Sequence, residues 1–66
     1  MKVRINGRDE SAGESSSIFD IVNAKGLVPE HIVVEHNMRI VPRAEWEGIT
    51  LKENDSVEIV SFVGGG

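Results

Sequence analysis

Met1, Val3 and Ile5 alternate with Lys2 and Arg4, the two-residue period of a strand with one buried face. Asn6-Gly7 follows, and this pair suits a type I′ hairpin turn, whose two central residues both take positive φ. Residues 8–12 then read as a short polar returning strand. Its charges suit a sheet edge, where they discourage pairing with other chains. Further on the period changes. Ile18, Ile21, Val22 and Lys25 fall at helical spacing, with Phe19 beside them. Ser17 is placed to cap the first turn, with Asp20 three residues later completing a capping-box pair at the positive helix end. Gly26 suits the left-handed position after the last turn, Lys25 sits where the dipole favours a cation, and Pro29 forbids continuation. The spacing predicts one helix of about nine residues.

Residues 31–36 are β-rich through Ile32, Val33 and Val34, and Asn37-Met38 marks a turn into Arg39-Ile40-Val41. The segment Pro42-Arg43-Ala44-Glu45-Trp46 reads as an irregular or 3₁₀ turn. Trp46 serves there as a plug over the end of the sheet, and its indole needs one hydrogen-bond acceptor. Glu53-Asn54-Asp55 is a further turn, and residues 56–63 form the last and most apolar strand. The order strand, strand, helix, strand, short strand, strand predicts an α+β fold with a mixed sheet and one main helix packed on one face. The first and last strands lie adjacent and parallel at its centre, joined through a helix-containing crossover. This is the β-grasp, or ubiquitin-like, arrangement, expected over residues 1–63 with a glycine tail at 64–66.

The helix can cover only one sheet face, so the parity of the last strand matters. If Val57 and Ile59 face the helix together with Ser61 and Val63, then Glu58, Val60 and Phe62 emerge on the other face. Phe62 is then either part of a docking patch, with Val60 and Val63, or satellite core folded over the sheet edge. The sequence leaves both open.

The chain closes on Gly64-Gly65-Gly66. Without a Cβ, glycine makes a thin and conformationally free thread. Such a thread enters a channel too narrow for any side chain and delivers a terminal carboxylate, ionised at neutral pH. The reading from residue types is that Gly66 is the reacting group, with Gly64 and Gly65 needed for passage into a partner's channel; a frayed end is the plainer alternative. A carboxylate acylates nothing until activated, and attack on the α-phosphorus of ATP yields an acyl-adenylate. No Gly-x-x-x-x-Gly-Lys phosphate cradle occurs in the chain. ATP and its metal are therefore expected on a partner, and the chain itself is substrate, not enzyme.

Composition narrows the field. The 66 residues hold no cysteine, which excludes disulfides, thiolate metal sites and a cysteine nucleophile. Net charge is −4 and the seven basic residues are scattered, which disfavours nucleic acid. No apolar run reaches membrane-spanning length, and Met1 leads into a strand pattern without a signal peptide. A cytoplasmic monomer is expected. His31 and His36, five apart on an expected strand, fall on opposite faces and do not suit a shared metal. Contact roles for Arg43 or Trp46 are the minor alternative to structural ones, and Asp9, Glu10, Glu14, Glu45, Glu47 and Glu53 read as solvated surface whose summed field favours a basic partner.

These residues resemble the ThiS family, the sulfur carriers of thiamine biosynthesis. The resemblance is carried by Val3-Arg4-Ile5-Asn6-Gly7, Ile40-Val41-Pro42-Arg43-Ala44-Glu45-Trp46, Leu51-Lys52-Glu53-Asn54-Asp55, and the strand from Val57 to the glycine terminus. It implies that a ThiF-like enzyme adenylates Gly66 using ATP and magnesium. Sulfur arriving from cysteine through a desulfurase then forms a thiocarboxylate, which thiazole synthase consumes. Met38 departs from the pattern, since relatives often carry glycine after the asparagine, and His36 is unusual at its position. Related possibilities are the small subunit of molybdopterin synthase, a carrier for tRNA thiolation, and a ubiquitin-like binding module with an inert tail.

Overall fold

Burial alternates from the first strand onward in the computed structural model, which describes residues 1–62. Val63 and the glycines 64–66 lie outside the described residues. Strand β1 (Lys2–Ile5) buries Val3 and Ile5 and exposes Lys2 and Arg4. Asn6 and Gly7 take φ of 51° and 81°, the left-handed pair of a type I′ turn. The chain then returns antiparallel as β2 (Arg8–Ser11), paired only with β1 at the sheet edge.

Helix α1 (Ile18–Ala24) begins with the full reciprocal cap. Asp20 N–H donates to Ser17 Oγ at 3.1 Å, and Ser17 N–H donates to Asp20 Oδ2 at 2.9 Å. A cap of this kind is worth about 1 kcal/mol. The helix start is also tied to the loop before the last strand, through Ile18 N–H to Ile49 O and Leu51 N–H to Ser16 O. Ile18, Ile21 and Val22 are buried. The helix has seven residues, shorter than its spacing predicts, because Lys25 acts as its cap and Gly26 turns left-handed at φ 67°. Lys25 is correspondingly not a core position: its Nζ lies 2.9 Å from Glu10 Oε1 on β2.

Pro29–His31 forms a 3₁₀ turn, so His31 precedes β3 (Ile32–His36) instead of opening it. Proline fits the first position of such a turn, where its missing N–H costs nothing. A tight turn leads to β4 (Arg39–Val41), and a second 3₁₀ segment, Arg43–Gly48, runs two residues beyond its expected end. Trp46 is 2% exposed, and its Nε1–H donates to Val41 O at 2.9 Å. The expected plug is thus a core residue whose polar edge is satisfied, which removes it from any contact role.

The last strand, β5 (Ser56–Ser61), completes a five-stranded sheet in the order β2-β1-β5-β3-β4. It pairs parallel with β1 and antiparallel with β3. The core is a single cluster: Val3, Ile5, Ile18, Ile21, Val22, Ile32, Val34, Val41, Trp46, Leu51 and Val57. Helix α1 and the Arg43–Gly48 segment supply one layer of it and the sheet the other.

The β3–β4 turn contains strain that side-chain packing does not repay. Asn37 and Met38 take φ of 49° and 72°, and Met38 is 88% exposed. A left-handed conformation costs a residue with a Cβ about 1–2 kcal/mol, of which glycine's extra unfolded freedom returns part. Met38→Gly is expected to stabilise the fold by about 0.5–1 kcal/mol. The measurement is the urea midpoint at unchanged slope, and a lower midpoint would contradict the strain.

Candidate functional site

Strand β5 is held by β3 along its length and by the β1 side over its first half. On one side its register with β3 sets Ile32 against Ser61, Val33 against Val60, Val34 against Ile59 and Glu35 against Glu58. On the other, Asn6 N–H donates to Val57 O at 2.9 Å, and Ile59 N–H donates to Asn6 Oδ1 at 2.7 Å. The asparagine of the first turn thus adds one rung beyond the end of β1, on the stretch of β5 that leads toward the chain's end. Phe62 follows β5 and is the last described residue. Its N–H donates to His31 O at 3.0 Å, so the backbone stays pinned to the β3 side up to that point.

Parity then decides what each side chain meets. Val57 is fully buried and Ile59 partly buried toward the helix, whereas Val60 and Phe62 are 57% and 60% exposed on the opposite face. Phe62 does not fold back over the edge as core. Two further apolar side chains share this uncovered face: Val33, directly across from Val60, and Ile40, across from Glu35 on β4. Period-two alternation through residues 32–36 carried the signal for Val33, but its neighbour on β5 depends on the β3–β5 register, which no local pattern encodes. The open face therefore presents an apolar surface that runs to the last described residue. Of the residues singled out from sequence, Val60 and Phe62 come together there, while Val63, Gly64, Gly65 and Gly66 lie outside the described residues.

The other candidates fall elsewhere. Arg43 is exposed and pairs with Glu30 at 2.9 Å. Glu30 Oε2 accepts that bond, and its carboxyl lies below the usual range, first through a backbone hydrogen bond and then through Arg43. Asp9 and Glu10 pair with Lys2 and Lys25 at 4.0 and 2.9 Å. His31 lies in the 3₁₀ turn and His36 at the end of β3. Among the described residues no group of three or more His, Asp or Glu could hold a metal ion.

His36 has a structural partner. Its Nε2–H donates to Asp55 Oδ2 at 2.8 Å, and Asn37 Nδ2–H donates to Asp55 Oδ1 at 3.2 Å. Lys52 N–H also donates to Asp55 Oδ2, at 2.9 Å, and Ser56 N–H donates to Asn37 Oδ1. The cluster ties the β3–β4 turn to the start of β5. Partial burial pushes the Asp55 carboxyl up, but the bonds from His36, Lys52 and Asn37 outweigh it and hold the pKa below the ordinary aspartate value. A depressed folded pKa contributes stability that is present above the unfolded value of about 3.9 and is lost as pH falls through the folded one. Asp55→Asn should cost about 1–2 kcal/mol at neutral pH. Urea titrations at falling pH should show the gap between variant and wild type narrowing below about pH 4; a constant gap would contradict the assignment.

Comparison with known proteins gives a consistent set of matches. The ThiS family model matches residues 3–66. A protein named sulfur carrier protein ThiS from Bacillus subtilis is 31% identical over 65 residues, covering 97% of this chain and 98% of that protein. A thiazole synthase from Magnetococcus marinus is 33% identical over 66 residues, covering 100% of this chain and 20% of that protein. The chain thus spans about a fifth of the length of the thiazole synthases it matches. The crystal structure of a thiamine biosynthesis protein (ThiS) from Geobacter metallireducens superposes with a TM-score of 0.85 at 29% identity, covering 100% of both chains.

Proposed function

Since the chain belongs to the ThiS family, we propose that it is a sulfur carrier of thiamine biosynthesis whose working atoms are those of the Gly66 carboxyl group. The observation that carries this reading is the reach of the family match, which runs through the glycine segment to residue 66. The near end-to-end similarity to the Bacillus subtilis carrier supports it.

The chemistry follows from the tail and from what the chain lacks. One oxygen of the Gly66 carboxylate attacks the α-phosphorus of ATP on a ThiF-like enzyme, and pyrophosphate leaves. The acyl-adenylate is now an electrophile at carbon. A persulfide formed from cysteine by a desulfurase attacks that carbon and displaces AMP. A second thiol on the partner side then cleaves the S–S bond of the resulting acyl disulfide, becoming a disulfide itself and leaving a thiocarboxylate on Gly66. The chain has no Walker-type phosphate loop, so ATP and magnesium belong to the partner's site. Gly64 and Gly65 pass through the channel without side chains, and no cysteine is present to capture the activated acyl group. Thiazole synthase is the acceptor this reading favours, because proteins of that name contain a segment resembling the whole of this chain. Val60, Phe62 and Val63 form the docking contacts nearest the reacting end, and the exposure of Val60 and Phe62 suits that role.

Two outcomes test the proposal. Deleting Gly66 should abolish ATP–pyrophosphate exchange with the adenylating enzyme and leave the thermal melt unchanged, because every buried core side chain among the described residues lies at or before Val57. Intact-mass analysis after incubation with ATP, the enzyme and a sulfur source should show one oxygen of the wild type replaced by sulfur, and exchange surviving the deletion would sink the reading. Phe62→Ala should weaken association with the adenylating enzyme by about tenfold or more, as loss of a docking aromatic does. The melt should hardly move, since the side chain is largely exposed; a large loss of stability would place Phe62 in the core instead.

A further inference from the structure

The open face carries an electrostatic feature that folding does not explain. Glu35 on β3 and Glu58 on β5 stand directly opposite each other in the antiparallel ladder. Alternation puts both on the uncovered face, since their neighbours Val34 and Val57 are buried toward the helix. Like charges facing each other across a ladder destabilise it. Among the described residues the ion pairs involve Glu14, Asp9, Glu10, Asp55 and Glu30, and neither Glu35 nor Glu58 takes part in one. Arg4, on the same face of β1 beside Ser56, makes no ion pair with either. The carboxylates border Val33 and Val60 on one side and Ile40 on the other, so the repulsive pair is embedded in the apolar surface.

Resting on the carrier reading, we infer that Glu35 and Glu58 form one recognition element for the adenylating enzyme, which receives the open face on an apolar recess bordered by a lysine or arginine that bridges the two carboxylates. A cation between them converts the mutual repulsion into two favourable pairs, and partial desolvation by the surrounding apolar contacts strengthens both. Charge logic selects this partner over the sulfur acceptor. An enzyme that brings a carboxylate against a polyanionic triphosphate must surround the approach with positive charge. That field attracts a chain of net charge −4 and orients it by the half-buried Glu35 and exposed Glu58 that face each other on the open side of the sheet. An acceptor that handles only the thiocarboxylate has no triphosphate to offset.

The test uses the full chain and separates recognition from stability. Titration of the Glu35→Gln/Glu58→Gln double variant against a ThiF-like adenylating enzyme should give a Kd raised about tenfold at low salt, with most of the wild-type salt dependence gone. Its melting temperature should equal or exceed that of wild type. Glu58→Lys, which places a cation across from Glu35, should melt higher still and bind weakest. Unchanged affinity with an unchanged salt slope would overturn the inference. So would a fall in melting temperature that parallels the loss of binding, or a loss seen only against thiazole synthase. A wild-type chain that binds the enzyme yet supports no pyrophosphate exchange would sink the carrier reading, while the salt dependence would still judge the face.

Discussion

Parallel pairing of β1 with β5 is the constraint on which the remaining structure depends. It joins segments near opposite ends of the described chain, with Arg4 N–H on Asp55 O and Asn6 N–H on Val57 O. Two parallel neighbours cannot be linked by a tight turn, so the intervening chain must cross over the sheet. That crossover contains α1, and its Ile18, Ile21 and Val22 meet Val3, Ile5 and Val57 in the only buried cluster of the described residues. Closing so long a loop costs chain entropy, which the core must outweigh without any disulfide to help. The Ser17–Asp20 cap, the ties between residues 16–18 and 49–51, and the Asp55 cluster all hold loops at the points where the crossover enters and leaves the sheet.

A single short helix on a five-stranded sheet leaves one face uncovered, and this asymmetry links fold to function. The buried face carries the stability. The open face, bearing Val33, Ile40, Val60 and Phe62 beside Glu35 and Glu58, is left available for recognition. Both faces meet in β5, whose alternating residues serve the core and the surface in turn. A partner that grips the surface side chains of β5 therefore also fixes the direction in which the residues beyond Phe62 begin.

Most of the architecture was legible in the sequence because it rests on local chemistry. Asn6-Gly7 specified its turn, Ser17 and Asp20 the helix start, and Gly26 with Pro29 the helix end. Strand parity at Val57 and Ile59 was also readable, since one face of β5 had to enter the core. What escaped was set by contacts between distant segments. The ion pair of Lys25 with Glu10 on the edge strand joins segments far apart in sequence, and no local pattern announces it. His31 left the expected strand because Pro29 favours a 3₁₀ turn there. The Glu35–Glu58 opposition and the place of Val33 beside Val60 depend on inter-strand register, which neither strand encodes alone.

Trp46 has one more consequence. The chain contains a single tryptophan and no tyrosine, and that indole is enclosed in the core with its nitrogen bonded to Val41 O. Ultraviolet emission excited at long wavelength thus arises from one fluorophore lodged in the layer opposite the open face. It reports whether the interior is intact, so the protein carries a built-in optical gauge of folding set apart from the outer surface of the sheet.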